Sequence, residues 1–405
     1  MGIFGPRREP GEPHPRREPR YPGPLTLAGV EEIFRDCVDF TKRPVALEGG
    51  PALTLCYLSG MVKMERVSDY VLRPLAQDKS LAGCADMGAL MKKMEDGALY
   101  NLSAAERTTL DQAAFDLVSG WCLLFFPGES AVLSFFTGTE EKRSISAPSN
   151  ETVLKGARDA FVESLRTNTS IVRRHIKAPE LRIREQTVGR QSATLVDILY
   201  IEGLTDPALV NRVAGRLADI DIDAVLATGN IEEYIVPAQR TPFPLLQYTE
   251  RSDRFCAGLA EGRVGILIDG LPLGYLAPGV LGDFLRAPQD KSESWMLATV
   301  LTLLRYTCML LTLLLPALYV AMVTFHQEMI PTKLALSIIA AKQDVPFRSA
   351  FEVIVLLLAF EILQEAGLRL PQSIGQTVSI IGGLVVGSAA VEAKIVSPAV
   401  LIVVA

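Results

Sequence analysis

The apolar and polar positions divide the chain into a mixed region and, from about residue 296, a region dominated by Leu, Ile, Val, Ala and Gly. In the mixed region, short apolar runs alternate with turn-rich and amphipathic segments, which is typical of an α/β fold. In the second region, residues 306–324 form a run of 19 without a charge. A helix of about 20 such residues crosses a hydrocarbon core of about 30 Å. The pattern therefore predicts an α/β soluble region followed by an all-α polytopic membrane domain.

Two stretches of the mixed region share one order of elements. The first has a strand ending at Gly60 and a hairpin turn ending at Gly128, and the second has a strand ending at Gly203 and a turn ending at Gly270. These glycines are 68 residues apart in the first stretch and 67 in the second. Any two α/β units share strand, glycine and helix in this order, but the equal spacing favours a structural duplication. We therefore predict two similar α/β subdomains.

Local signals predict where two helices begin. Ser103 and Glu106 form a capping-box pattern before an amphipathic run that ends at Val118. Asp206 followed by Pro207 supplies an N-cap and a first-turn proline. We expect one helix to follow each pair.

These patterns give four segments. Residues 1–24 are rich in Pro, Arg and Glu and lack an apolar core, so we predict a disordered tail. The two subdomains are expected over residues 25–148 and 149–290, and the membrane domain over residues 291–405. The chain stops inside an apolar run, so we expect the membrane domain to be incomplete.

Charge and motifs narrow the possible functions. The formal net charge is −6, which gives no reason to expect a nucleic-acid partner. The chain lacks a Walker A motif, a GxSxG elbow and an HExxH pair, and its six cysteines form no CxxC. We therefore expect no enzymatic activity, no catalytic residue, no metal site and no cofactor.

A basic stretch joins the two predicted subdomains. Its functional interpretation is a contact with a partner or an anion, and the candidates are Arg166, Arg173, Arg174 and Lys177. Its simpler interpretation is a solvated helix face that connects the subdomains. No aromatic residue alternates with the basic ones, which disfavours a platform for single-stranded nucleic acid.

The membrane region has three apolar segments, near residues 296–324, 351–366 and 374–391, with a shorter one at 333–341. Charged side chains in or beside them are candidates for a pore or an intramembrane polar contact: Arg305, Glu328, Glu361 and Glu365. A carboxylate at membrane depth is costly unless it is paired or hydrated. Glu361 and Glu365 share one helix face, but they could also lie at the interface beyond a short span.

The third apolar segment contains Gly383 and Gly387 in a GxxxG pattern, which permits close helix packing but also occurs by chance in a Gly-rich sequence. Positive-inside counting does not fix the orientation. Since the N-terminus has no apolar signal segment, we expect the soluble region to be cytoplasmic.

Several long motifs closely resemble one family. They are SNETVLKGARDAFVESLRTNTSIVRRHIK (149–177), PFPLLQYTERSDR (242–254), EGRVGILIDGLP (261–272), LLPALYVAMVTFHQEMIPTKLALSIIAAK (314–342) and RLPQSIGQTVSIIGGLVVGSAAVEAKIVSPA (369–399). From about residue 25 onward the chain resembles the A subunits of GerA-type spore germination receptors.

The resemblance implies a multi-pass protein of the spore inner membrane that acts with a B subunit and a C subunit in the lipid bilayer. The assembly is implied to respond to nutrient germinants and to trigger germination. The A subunit is implied to form a homo-oligomer and an ion channel. The alternative is a transporter-like membrane component whose soluble domain binds a small ligand directly.

Overall fold

The structure is a computed structural model that describes residues 20–46, 52–77, 87–95, 104–138, 159–225, 228–236, 241, 243–287, 290, 294–370 and 385–404. The chain divides into two compact units, residues 1–292 and 293–405. Residues 1–19 of the predicted tail lie outside the described residues. Residues 20–24 belong to the folded unit, where Tyr21 N–H donates to Asp111 and Pro24 pairs with Thr109.

The first unit contains two successive series of elements. The first series is α1 (Leu27–Ile33), β1 (Phe40–Ala46), β2 (Ala52–Leu58), α2 (Met64–Val67), a π-helical turn (Ser68–Leu72), α3 (Arg73–Gln77), α4 (Met87–Lys93), β3 (Ala104–Arg107), α5 (Leu110–Val118), β4 (Trp121–Phe125) and β5 (Val132–Phe136). The second is α6 (Leu165–His175), β6 (Leu181–Val188), β7 (Thr194–Ile201), α7 (Pro207–Ala218), α8 (Thr228–Ile235), β8 (Gln247–Thr249), α9 (Ser252–Ala260), β9 (Val264–Ile268), β10 (Gly274–Ala277) and α10 (Leu281–Leu285).

Both series build the same sheet. The strand order is β1-β2-β4-β5-β3 in the first and β6-β7-β9-β10-β8 in the second, and neighbouring strands of the described residues pair antiparallel in both sheets. The first strand in sequence is an edge strand in each sheet. The identical order confirms the predicted pair of similar α/β subdomains.

Each sheet is buried on both faces between helices. Along β2, Leu55 and Tyr57 join the core under α2–α4, whereas Cys56 and Leu58 join the core under α1 and α5. The second subdomain repeats this arrangement, with α7 and α8 on one face and α6 and α9 on the other. Because successive side chains of a strand point to opposite faces, a strand buried on both sides is apolar along nearly its whole length.

Glycines with positive φ mark equivalent turns of the two subdomains. The pairs are Gly60 and Gly203, Gly120 and Gly262, and Gly128 and Gly270. A Cβ at Gly120 would lie 2.9 Å from the Met61 carbonyl oxygen, and one at Gly262 would lie 3.1 Å from that of Leu204. The chain therefore makes the same close backbone approach twice, where only glycine fits without strain.

One predicted helix start is wrong and the other is confirmed. Residues 104–107 form strand β3, and α5 begins only at Leu110, where the Thr109 side chain caps Gln112 N–H. The sheet needs this stretch as an edge strand paired with β5, and that pairing overrides the capping-box pattern. At Asp206 the carboxylate accepts a hydrogen bond from Ala208 N–H at 2.9 Å and caps α7 as predicted.

The two subdomains meet where residues 33–39, just before β1, contact β6. Val38 N–H donates to the Ile183 carbonyl oxygen at 3.0 Å, and the Cys37 thiol contacts the Leu181 carbonyl oxygen at 3.5 Å. Since β6 is an edge strand, this segment covers backbone groups that would otherwise be unpaired.

A buried ion pair crosses this junction. Arg173 on α6 donates to both carboxylate oxygens of Asp39, at 2.8 and 3.0 Å. Arg173 is 0% exposed and Asp39 is 2% exposed. A bidentate, fully desolvated pair of this kind fixes orientation, and removal of one partner leaves the other charge buried and uncompensated.

A second buried carboxylate lies close to this pair. Asp197 on β7 is 0% exposed and accepts a hydrogen bond from Thr169 Oγ1 at 2.9 Å. Arg166 Nη1 lies 3.8 Å from the same carboxylate, and Glu185 is its cross-strand neighbour. Burial raises the pKa of Asp197 to about 6, because the Thr169 hydrogen bond and Arg166 offset only part of the desolvation.

The second unit is helical. It contains α11 (Trp295–Thr324), a 3₁₀ turn (Gln327–Met329), α12 (Thr332–Lys342), α13 (Ser349–Leu368) and α14 (Pro398–Val404), and residues 385–392 are also helical. A small core joins Tyr319 of α11, Val353 and Leu356 of α13, and Val400 of α14. Among the described helices, one passes the length and hydropathy test for crossing a membrane, namely α11, with 30 residues and a mean hydropathy of 2.0.

We expect Arg173→Met to lower the free energy of unfolding of the first unit (residues 1–292, below called the soluble unit) by about 3–5 kcal/mol, because Asp39 would stay buried without its counter-charge. Urea unfolding of residues 20–290 measures this. The control is Arg190→Met, which removes an exposed pair with Asp221 at 2.7 Å and should cost less than about 1 kcal/mol. Equal losses in the two variants would contradict a structural role for the junction pair.

Asp197 should make the stability of the soluble unit depend on pH. Its carboxyl has a pKa of about 6 in the folded state and near 4 in the unfolded chain, so the folded state binds more protons between these values. The free energy of unfolding should therefore fall as the pH rises from about 4 to 6, by up to roughly 3 kcal/mol. Urea unfolding across this range should show a weaker fall in Asp197→Asn, while the exposed-site control Asp221→Asn should keep the parent slope.

Candidate functional sites in the two units

The basic stretch is divided between buried, paired and more exposed positions. Arg173 is bound to Asp39 inside the chain, so the structure gives it an internal partner instead of an external anion. Arg166 pairs with Glu185 on β6. Arg174 is half-buried and Lys177 is exposed, and both lie at the C-terminal end of α6 or just beyond it. Of the four candidates, Arg173 takes part in the contact between the subdomains, and it is buried instead of solvated, whereas Arg166 pairs within the second subdomain.

A narrow cleft of about 90 Å³ lies beside α9 and α10. Arg263 donates to both oxygens of Asp283, at 2.5 and 2.9 Å. Burial alone would raise the pKa of Asp283, but hydrogen bonds from Arg263 and from Val280 N–H outweigh it, and the pKa is lowered. Because Arg263 is paired with Asp283 and with Glu261, which also line the cleft, these three side chains favour structural stabilisation over ligand binding. Among the described residues, no group of three or more His, Cys, Asp and Glu side chains could hold a metal ion.

The second unit contains a buried carboxylate that the sequence analysis did not single out. Glu352 on α13 is 0% exposed, and its Oε2 accepts a hydrogen bond from Ser397 N–H at 2.8 Å. Lys342 Nζ lies 3.1 Å from Oε1 and donates its hydrogen bond to Ser349 Oγ. Lys342, Glu352 and Ser397 therefore join the end of α12, the start of α13 and the segment before α14 in one polar cluster.

The predicted intramembrane candidates lie elsewhere. Glu361 is exposed on α13, and Glu365 pairs with Arg369 at 2.8 Å. Glu328 lies in the 3₁₀ turn, 3.6 Å from His326. Arg305 is half-buried in the first half of α11. The structure does not bring these four side chains together.

Glu352 and Glu361 face opposite sides of the same helix. They are nine positions apart, which is about two and a half turns. The side that carries Glu352 packs against α11 and α14 through Val353 and Leu356. Glu361 therefore lies on the side of α13 that faces away from the core of this unit.

Of the two glycines that the sequence predicts at a close helix contact, the structure describes Gly387. Gly383 lies outside the described residues. Gly387 is buried, and a Cβ at this position would lie 2.9 Å from Leu401 Cδ1 of α14. The absence of a side chain at Gly387 thus permits a close helix contact within this unit.

A larger cavity, of about 480 Å³, lies at the C-terminal end of α11. Its wall is formed by the end of α11, the 3₁₀ turn, α12 and the start of α13. Most of its lining is apolar, and Lys342 and Arg348 line it as well. The resemblance carried no expectation for this cavity.

The known proteins to which this chain is similar have names that refer to a membrane protein or to spore germination. The uncharacterized membrane protein YfkQ of Bacillus subtilis (strain 168) is 37% identical over 93% of this chain and 73% of that protein. Spore germination protein KA of the same organism is 39% identical over 87% of this chain and 64% of that protein. Among solved structures, the N-terminal domain of the A subunit of the Bacillus megaterium spore germinant receptor GerK3 aligns with a TM-score of 0.49 and 30% identity, covering 63% of this chain and 94% of that one.

The family assignment follows from the extent of the match. The family model described as Bacillus/Clostridium GerA spore germination protein matches residues 28–405, which includes both subdomains and the helical unit. The chain therefore belongs to the GerA family of spore germination proteins.

Proposed function

We propose that this chain is the A subunit of a nutrient germinant receptor and that it helps to trigger spore germination. The observation that carries the proposal is the family match over residues 28–405. Relatives with germination in their names support it, including spore germination protein KA. Spores that lack the chain should lose their response to at least one class of nutrient, and re-expression should restore it. An unchanged response to every nutrient tested would contradict the proposal.

The proposed location is the spore inner membrane, with several spans and the soluble unit on the cytoplasmic side. Support comes from α11, whose apolar side chains are largely exposed in the chain by itself, for example Leu303 at 66% and Leu313 at 73%. Such a surface needs lipid or other helices around it. Protease added outside intact vesicles should leave the soluble unit uncut, and digestion there would reverse the orientation.

The proposed partners are the B and C subunits of the receptor and further copies of this chain. The side of α13 that carries Glu361 faces away from the core of its own unit, so it is available for contact with another helix or with a pore. A carboxylate on such a side is favourable only where water, a cation or a polar partner meets it. We therefore propose that copies of the chain assemble around an ion path and that Glu361 lines it.

We expect Glu361→Gln to lower cation conductance about tenfold, because a loss of only about 1.4 kcal/mol of attraction changes ion occupancy by that factor. The measurement is single-channel current of the complete receptor in liposomes. Insertion and assembly should stay normal, since Glu361 is exposed in the chain. Normal conductance together with normal assembly would remove Glu361 from the pore.

Glu352→Gln is the matched comparison on the same helix. It should reduce assembly and leave the current through each channel unchanged, which is the reverse of the result expected for Glu361→Gln. The change breaks the ion pair with Lys342, whose side chain is 25% exposed, so the cost should be smaller than the about 3–5 kcal/mol of a fully buried pair. We expect less assembled receptor and a lower melting temperature, with unchanged current through each channel that still forms. A reduced unitary current with full assembly would move the ion path to the Glu352 side of α13.

A further inference from the structure

The cavity at the C-terminal end of α11 has the composition of a site for an amphiphile. Its apolar part includes Ile338 and Ile339 of α12 and Phe347 of the segment before α13. Its polar part includes Thr324, Gln327 and Ser349. A volume of about 480 Å³ falls within the usual range for small-molecule and cofactor sites, which are mostly apolar with a few placed polar groups.

The charges that line the cavity have one sign. Two cations, Lys342 and Arg348, line it, and no carboxylate does. The charge of Lys342 is offset by buried Glu352 at 3.1 Å. Arg348 is exposed, and among the described residues no carboxylate forms an ion pair with its guanidinium. The cavity therefore offers an apolar wall with an unneutralised cation at its edge, which is complementary to an anionic head group on an acyl chain.

The position along α11 fits the depth of lipid head groups. A helix of 30 residues is about 45 Å long, whereas the hydrocarbon core is about 30 Å thick. The ends of α11 therefore reach the interfacial layers if the helix crosses the bilayer. Polar residues His326, Gln327 and Glu328 follow shortly after the helix, and Thr324 and Gln327 at this end line the cavity. Basic pockets between membrane helices bind the head groups of anionic lipids.

We propose that this cavity is a binding site for an anionic phospholipid. The acyl chain lies against Ile338, Ile339 and Phe347, and the phosphate accepts hydrogen bonds from the Arg348 guanidinium. The proposal rests on the membrane location given under the proposed function. The two can fail separately, because a chain that does not insert is absent from the membrane fraction, whereas a failed lipid site leaves inserted protein without a preference for anionic lipid.

The test is native mass spectrometry of the full-length protein in micelles that contain equal amounts of phosphatidylglycerol and phosphatidylcholine. We expect the parent protein to retain phosphatidylglycerol about tenfold more than phosphatidylcholine. Arg348→Gln should reduce retention of phosphatidylglycerol about tenfold, since it removes a charge-assisted contact with the phosphate. Lys333→Gln removes an exposed cation from α12 outside the cavity lining and is the matched control, with no change expected.

A second variant tests the apolar part independently. Ala335→Trp fills the cavity from the α12 side and should reduce retention of both lipids. If this variant does not fold, the comparison of phosphatidylglycerol retention between Arg348→Gln and Lys333→Gln still tests the proposal. Arg348 is exposed, so its loss leaves no buried charge and should not unfold the protein. Equal retention of the two lipids by the parent protein would overturn the proposal.

Discussion

The organisation of the soluble unit depends on one desolvated ion pair, between Arg173 and Asp39. Each subdomain has its own sheet and two cores of its own, so the arrangement of the two depends on the contacts at their junction. The guanidinium reaches from the end of α6 to a carboxylate just before β1, and both groups are almost fully buried. Since neither charge can be left alone in that environment, the pair selects a single arrangement of the two subdomains. The cover that residues 33–39 give to the β6 edge is a consequence of the same arrangement.

Sequence reasoning was sufficient for the repeated fold and insufficient for this junction. Glycines at equal spacing identify turns directly, because the left-handed backbone conformation excludes most other residues. The pair Gly120 and Gly262 carries the same signal and could have been found in the same way. Asp39 and Arg173 are far apart in the sequence, and nothing in the local pattern distinguishes a buried arginine from the solvated ones beside it. The capping-box pattern at Ser103 misled for a related reason, since sheet pairing with β5 is a non-local effect.

In the helical unit, too, the local sequence pattern does not reveal which charged residues pair with one another. The sequence places several carboxylates on one apolar helix, and a buried carboxylate is costly wherever it occurs. Which of them is neutralised depends on a lysine at the end of another helix, and Lys342 is ten positions from Glu352 along the chain. Periodicity alone then separates the two sides of α13: the side with Glu352 is closed by packing, and the side with Glu361 is open. Local pattern thus gives the geometry of each helix, while charge pairing between helices decides the role of each residue.

The two subdomains use one equivalent position differently. Asp39 and Glu180 each precede the first strand of their sheet, and their carbonyl oxygens accept equivalent backbone hydrogen bonds, from Ser59 N–H at 2.8 Å and Glu202 N–H at 2.9 Å. Each carboxylate also pairs with an arginine of the other half: Asp39 with Arg173, and Glu180 with Arg20 at 3.1 Å. The first pair is buried, whereas Arg20 is 58% exposed, so water and salt weaken only the second. Each half of the duplicated fold therefore contributes one carboxylate and one arginine to the junction. The buried pair, Arg173 with Asp39, is the stronger of the two resulting ion pairs.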